Sequence, residues 1–382
     1  MTRRLVIITE IISPYRIPLF NALARCEDVS LHVIFLAETD PALRQWQVYK
    51  QEIAFSYQVL PSWRRRIGPW NVLFNRGISG ALNGATPNAI LCGGYNYIAS
   101  WQALLWAHAQ QVPFLLWSES NQQDLREGNP LLEFFKIEFL HRCRAFVVPG
   151  RSAREYLRGH RVPDQHIYTA PNAVDNELFA AGAARARARA TECRGQLALP
   201  DRYFLFVGRL VREKGVFELL AAYAKLDRSL RQQIGLVYAG DGPCRGQLEA
   251  QAKSIAGGMV RFPGFVQRDQ LAVYYALADA LILPTYTDTW GLVVNEAMAC
   301  GLPVIVSEVA GCAADLVRQD WNGLLVPVAD ASGLGDAMQK LGSSQELCQR
   351  MGEHSQEQIL EYSPEAWAVG LRQALAGVVR GA

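Results

Sequence analysis

Twice along the 382-residue chain, short apolar runs bounded by turn residues alternate with longer segments of helical period. In the first half the runs are Leu5–Thr9, Leu31–Leu36, Ala89–Cys92, Phe114–Trp117, Ala145–Val148 and the short Ile167–Ala170. In the second they are Tyr203–Val207, Ile234–Ala239, Val260–Phe262, Ala280–Leu283, Val304–Val306 and Gly323–Val326. Apolar runs this short are strands, and the helical segments between them can carry the crossover that parallel neighbours require. The pattern predicts an α/β protein with two parallel sheets wrapped by helices. A chain of this length needs two cores, and 50% hydrophobic residues supply them.

Several other classes are excluded. LVIITEII behind Arg3 and Arg4 has the flavour of a signal peptide, but Glu10 breaks the apolar run and no small-residue cleavage site follows. Nowhere do about 18 uncharged apolar residues run together, so a soluble or peripheral protein is expected. The cysteines at 26, 92, 143, 193, 244, 300, 312 and 348 form no close pair and no metal-ligand spacing, as in a reducing cytoplasm. Residues 1–178 carry a net charge of +3 and the remainder −1, too mild for a nucleic-acid partner. Between the halves lie PNAVDNELF (171–179) and the Ala/Arg segment Ala180–Arg194, which reads as a surface helix. Arg185, Arg187 and Arg189, two residues apart, share no helix face and read as solvated.

The most informative stretch is TDTWGLVVNEAMACGLPVIVS, residues 287–307. It follows the strand Ala280–Leu283 and Pro284, and Gly291 opens a helix that runs to Cys300 and stops at Gly301 before the next strand. Ligands of open α/β sheets sit outside the C-terminal ends of the strands, where a helix N-terminus offers unpaired N–H groups to an anion such as pyrophosphate. Asp288 in the loop and Glu296 in the helix would repel a polyphosphate unless they face hydroxyls. Carboxylates that each grip a hydroxyl pair, one on a ribose and one on a hexose, meet that requirement; the plain alternative is a loop cap and a helix-face charge. Cations should stand nearby. Gly208-Arg209-Leu210-Val211-Arg212-Glu213-Lys214-Gly215, after the first strand of this half, offers a guanidinium and an ammonium to neutralise a departing diphosphate. No Asp-x-Asp pair ends a strand, Glu38-x-Asp40 reads as a turn, and no metal or other cofactor is predicted.

The set GRLVREKG, GDGP, RFPGFVQ and PTYTDTWGLVVNEAMACGLPVIVS, over roughly residues 165–330, resembles the retaining nucleotide-sugar glycosyltransferases of family 4. PNAVD resembles that family's Pro-Asn-Gly-Val-Asp linker. The resemblance implies the GT-B fold, two Rossmann-like domains whose parallel sheets face a central cleft. Residues 1–175 would form the acceptor domain, joined by a C-terminal helix at about 362–382, and residues 176–361 the donor domain. It implies that Arg209 and Lys214 hold the donor diphosphate, that Glu296 binds the ribose hydroxyls and that Asp288 contacts the donor sugar. Backbone at Trp290, Gly291 and Leu292 would line sugar and phosphate, Gly208 would support the phosphate turn, and Phe265 and Val266 would meet the base. Two departures stand out: Asp288 replaces a usual Glu, and Trp290 a usual Phe.

In the first half, Ser13-Pro14-Tyr15-Arg16 stands where related enzymes often carry Gly-Gly near the donor phosphate. Arg16 reads either as a substitute positive charge or as a helix-start residue. Glu119, where many relatives have histidine, ends a strand and could orient an acceptor hydroxyl, its catalytic role left open. Tyr95 and Asn96 read as a second acceptor loop, and His108 as a packing residue. PSWRRRIGPWNVLF (61–74) interleaves aromatic residues and arginines; it reads either as a membrane contact through Trp63–Arg66 and Trp70, or as a helix with buried rings and solvated arginines. The membrane reading suits a polyprenyl-diphosphate-linked glycan acceptor and a protein peripheral to the cytoplasmic face. The expected activity is transfer of a sugar to a glycan hydroxyl in bacterial surface-polysaccharide synthesis. A same-fold epimerase or hydrolase, and a non-catalytic nucleotide-sugar-binding protein, are the alternatives.

Overall fold

A computed structural model describes residues 2–40, 45–67, 70–121 and 130–379. The chain begins with β1 (Arg3–Thr9), α1 (Ile17–Ala24), β2 (Val29–Phe35), β3 (Ser56–Val59), β4 (Ser62–Ile67) and β5 (Trp70–Asn75). There follow α2 (Ile78–Ala85), β6 (Ala89–Cys92), α3 (Ile98–Ala109), β7 (Phe114–Trp117), α4 (Pro130–Arg142), β8 (Ala145–Val148), α5 (Arg151–Gly159) and β9 (Ile167–Thr169). The second set is α6 (Asn176–Ala188), α7 (Ala190–Leu197), β10 (Tyr203–Val207), α8 (Val216–Lys225), α9 (Arg228–Gln233), β11 (Gly235–Ala239), α10 (Arg245–Ala252) and β12 (Val260–Gly264). Then come α11 (Arg268–Leu277), β13 (Ala280–Leu283), α12 (Leu292–Ala299), β14 (Val304–Ser307), α13 (Ala313–Leu316), β15 (Gly323–Val326), α14 (Ala331–Gly342), α15 (Gln345–Ile359) and α16 (Pro364–Val378).

These elements divide into two compact units, Met1–Val174 with the segment from Pro364 onward, and Asp175–Ser363. The first holds a seven-stranded parallel sheet in the order β3-β2-β1-β6-β7-β8-β9, the second a six-stranded one in the order β12-β11-β10-β13-β14-β15. In both, the first strand sits mid-sheet and pairs with neighbours whose connections leave in opposite directions: Leu5 lies opposite Leu31 and Ala89, and Phe204 opposite Leu236 and Ala280. That reversal of strand order opens a crevice at the C-terminal edge.

Alternation along β1 sends Val6 and Ile8 into one core layer and Leu5 and Ile7 into another. The second layer includes α1 and α16, so the chain's last helix is part of the first unit's core. Trp367 is fully buried there, its ring 5.8 Å from that of Phe20 and 5.2 Å from that of Trp117.

The structure corrects one expectation. Residues 62–67 and 70–75 form no helix. β4 and β5 make an antiparallel ribbon in which Trp63 faces Phe74 across the strands while Leu73 is buried and Arg64 turns to Glu10 and Asp40. The period is two, which a run of three arginines disguises. The Ala/Arg segment is helical, as expected, and Arg185, Arg187 and Arg189 are exposed, while one side of α6 is covered. Phe179, Ala183 and Ala186 of α6 are buried, α6 packs on α11 and α12, and Arg187 Nη2 donates to the Cys300 carbonyl at 2.5 Å. Among the described residues no helix is long and apolar enough to cross a membrane.

Trp367→Ala should cost the first unit about 3–5 kcal/mol, as large-to-small changes in packed cores do. Hydrogen exchange resolved by peptide should show lost protection in β1 and β7 and none lost in β10 and β13. Equal loss in both sheets would contradict the division into units.

Candidate functional site

In the second unit the reversal lies between β10 and β13, and the two loops leaving those strands are laced together. Glu213, in the turn after β10, accepts through its carbonyl from Thr285 Oγ1 at 3.0 Å and from the Tyr286 amide at 2.9 Å. Gly215 has φ +66°, and a Cβ there would lie 2.0 Å from the Pro284 carbonyl oxygen, so only glycine permits the approach. A third loop braces the second from below: the Gly311 amide donates to the Asp288 carbonyl at 3.0 Å, and the Cys312 amide to that of Trp290 at 3.0 Å.

This lacing brings together side chains 74 residues apart in sequence: Lys214 Nζ lies 2.5 Å from Asp288 Oδ2. Both are largely but not wholly buried, at 25% and 16% side-chain exposure, so the ion pair is partly shielded from water while still open to a ligand. Arg209 is exposed on the same loop as Lys214, just beyond Gly208, whose φ is +149°. Next to Asp288 the chain turns at Gly291 (φ +100°) into α12, with Leu292 as its first residue. The Trp290 ring is buried, its Nε1 donating to Asn295 Oδ1 at 2.9 Å, so it anchors the loop and leaves only backbone to face a ligand.

Glu296 stands one turn into α12, half-buried, and its Oε2 accepts from the Tyr275 hydroxyl at 2.6 Å. Burial raises its pKa from 4.5 to about 7, against the opposing effects of the Tyr275 hydrogen bond and the Arg268 charge. Phe265 and Val266 follow β12 at the edge of the sheet, the Phe265 ring exposed and Val266 buried.

In the first unit the reversal lies between β1 and β6. Here Arg16 and Glu119, read from the sequence as serving different ligands, meet: Arg16 Nη2 lies 3.6 Å from Glu119 Oε2. The same guanidinium donates from Nη1 to Thr9 Oγ1 at 2.5 Å and covers the Trp117 ring at 4.5 Å, while the Arg16 amide donates to the buried Ser13 carbonyl at 2.9 Å. The Arg16 charge is thus held by its own unit. Tyr95 packs on Phe139 with 6.0 Å between ring centroids; it bonds Ser120, and burial raises its pKa to about 12. Asn96 is exposed. His108 Nε2 lies 3.1 Å from the Arg142 carbonyl oxygen, as suits a packing residue.

Sequence reasoning missed a second cluster at this edge. Arg64 reaches Glu10 and the buried Asp40, both at 2.9 Å, and the Tyr97 hydroxyl bonds Glu10. The one signal was Glu10 itself, a charge breaking an apolar run. Tyr275 gave none, since a tyrosine near the end of a helix reads as core. Of the residues assigned to a membrane contact, the side chains of Arg66 and Trp70 lie outside the described residues.

Residues 191–358, within the second unit, match the family model described as glycosyl transferases group 1. The chain is 33% identical over 233 residues to a D-inositol 3-phosphate glycosyltransferase of Corynebacterium jeikeium, covering 58% of this chain and 54% of that protein. It is 32% identical over 234 residues to the alpha-D-kanosaminyltransferase of Streptomyces kanamyceticus, covering 60% and 59%. The matched region thus spans only about half the length of such curated relatives. Among solved structures, HepE of Anabaena in complex with UDP and glucose superposes with a TM-score of 0.75 at 15% identity, covering 98% of this chain and 100% of that one. The sucrose-phosphate synthase of Thermosynechococcus elongatus gives 0.71 at 22%, covering 97% and 98%. The two Rossmann-like units are those of the GT-B fold.

The Glu296 pKa has a consequence for stability. Between pH 4.5 and about 7 the unfolded carboxyl has lost its proton while the folded one keeps it, so the folded state binds more protons and stability falls as pH rises through that window. Glu296→Gln, which can still accept from Tyr275, should flatten this part of the stability–pH curve of the second unit, as followed by urea denaturation. An unchanged slope would mean that Glu296 ionises normally.

Proposed function

We propose that this protein is a retaining glycosyltransferase that moves a sugar from a nucleoside diphosphate to a hydroxyl of a glycan. The observation that carries the proposal is the meeting of Lys214, Asp288 and the start of α12 at the reversal point of the second sheet. An ammonium, a sugar-length carboxylate and an unpaired helix N-terminus suit the two ends of a sugar diphosphate. The second unit binds the donor and the first the acceptor. Relatives described as sugar transferases, and a structural neighbour holding UDP and glucose, support the same reading.

In this mechanism the bond from the anomeric carbon to the diphosphate oxygen breaks and a bond from that carbon to the acceptor oxygen forms. The acceptor proton passes to the departing phosphate oxygen on the same face, so no protein base is required. Arg209 and Lys214 neutralise the charge growing on the diphosphate, as preorganised cations do, and no step calls for a metal. Asp288 accepts from hydroxyls of the donor sugar and Glu296 from those of the ribose. UDP is the first nucleotide to test, and the acceptor is a bacterial surface glycan carried on a polyprenyl diphosphate at the cytoplasmic membrane face.

Calorimetric titration against UDP, GDP, ADP and TDP and their sugar conjugates should single out one nucleoside diphosphate. Glu296→Ala should weaken the free nucleotide, whereas Asp288→Ala, which also releases Lys214, should weaken discrimination between sugars more than it changes affinity for the free nucleotide. Equal effects of both on free nucleotide would sink that division of roles. Lys214→Ala should lower turnover by roughly 10²–10³, the loss expected when a donor to a developing anion is removed. Binding of none of the four nucleotides would remove the proposal's main support.

A further inference from the structure

We propose that α3 and α4 of the first unit form a face that docks on an anionic lipid surface, with the β4–β5 ribbon at its border. The sequence drew attention only to the ribbon; the larger apolar surface lies beside it. Ile98 and Leu105 of α3 are 46% and 60% exposed, and Leu132, Phe134, Phe135 and Ile137 of α4 are 50%, 59%, 47% and 37% exposed. Ile98, Trp101 and Leu105 are spaced three and four residues apart and share one stripe of α3. Trp101 joins that stripe to α4, its ring 6.0 Å from Phe135 and 5.0 Å from Phe139. α3 also packs against β5, and on the ribbon Trp63 is 59% exposed beside Phe74. Adjoining exposed apolar groups on this scale mark an interaction site rather than ordinary surface.

Charge commits the face to lipid. α3 contains no Asp, Glu, Lys or Arg. The charges of α4 cancel among themselves: Lys136 pairs with Glu133 at 2.7 Å and Arg142 with Glu138. Both pairs remain partly exposed, so the contact is with the boundary of headgroups and acyl chains, where paired charges keep water, and no unpaired charge on either helix opposes it. The ribbon strands carry Arg64, Arg65 and Arg66 and no acid. Arg64 is held by Glu10 and Asp40, while Arg65 is exposed with its guanidinium 5.3 Å from the Trp63 ring. A neutral apolar face bordered by an aromatic ring and an exposed guanidinium matches an interface of acyl chains topped by anionic headgroups.

The test is flotation of the full chain with vesicles of phosphatidylcholine alone and with vesicles of phosphatidylcholine mixed with anionic phosphatidylglycerol. Wild type should float with the mixed vesicles and much less with the neutral ones. Leu105→Ser with Phe134→Ser should lower the bound fraction at least about tenfold, since each side chain contributes the burial of one large apolar group. Arg65→Glu should reduce the preference for the anionic vesicles. Both variants should keep the wild-type melting temperature within a few degrees and bind nucleotide as wild type does, the affected side chains being exposed and on the other unit. Equal flotation of wild type and the double variant, or no flotation of wild type with either vesicle, overturns the proposal. So does concentration-dependent self-association of wild type that the double variant abolishes, which would assign the face to a second copy of the chain. Vesicle binding is read without donor or acceptor, so its failure leaves the transferase reading standing, and the reverse.

Discussion

Burial of the central strands on both faces is the constraint from which the rest follows. Phe204, Leu205 and Phe206 of β10, and Leu281 and Ile282 of β13, are each fully buried, so an ionised side chain at any of these positions would be cut off from water. Chemistry is thereby pushed to the strand ends, and among those ends to the place where the order of neighbours reverses. Both sheets obey this. In the second unit the displaced polarity appears as Lys214, Asp288 and Glu296, and in the first as Arg16, Glu119, Glu10 and Arg64.

At the second site the loops are held before any ligand arrives. An ion pair of side chains exposed by 25% and 16% gains little net stability, because desolvation offsets most of the Coulomb attraction. Its effect is on position. The Thr285 and Tyr286 hydrogen bonds to Glu213, the Gly215–Pro284 approach and the Gly311 amide fix both backbones. The Lys214 ammonium is therefore already in place, and the proposed diphosphate would not have to order it, the step at which an ammonium on a flexible stem otherwise loses affinity. The Asp288 carboxylate takes part in this arrangement directly, lying against the Lys214 ammonium.

How much of this was legible in the sequence depends on whether a residue's role is local. Strand–loop–helix units such as Ala280–Ala299 are specified by contiguous signals: an apolar run, Pro284, Gly291 at a positive φ, a helix and Gly301. They were read nearly to the residue. β3 was missed because an edge strand with the sequence SYQV lacks the apolar run that marks the central ones. The ribbon was missed because its alternation is carried by which arginine faces inward, and that is decided by Glu10 and Asp40, distant in sequence. Tyr275 and Glu296 are 21 residues apart on different helices, and no spacing rule joins them. The Arg16–Glu119 pair, more than a hundred residues apart, needed the order of β1, β6 and β7 before it could be seen.

The two reversal points differ in how their charge is balanced, and the difference follows from these pairings. In the first unit the guanidiniums of Arg16 and Arg64 are met by Glu119, Glu10 and Asp40, so that edge offers carboxylate oxygens and hydroxyls with no surplus of positive charge. In the second, Lys214 is matched by Asp288 while Arg209 stands exposed at the same loop, next to the N–H groups of α12. An anion gains more at the second edge than at the first, and a neutral polyol meets no electrostatic penalty at the first. The transfer proposed above, from a sugar diphosphate to a hydroxyl, fits that asymmetry. The fold provides two crevices of the same kind, and the side chains at their rims make them unequal.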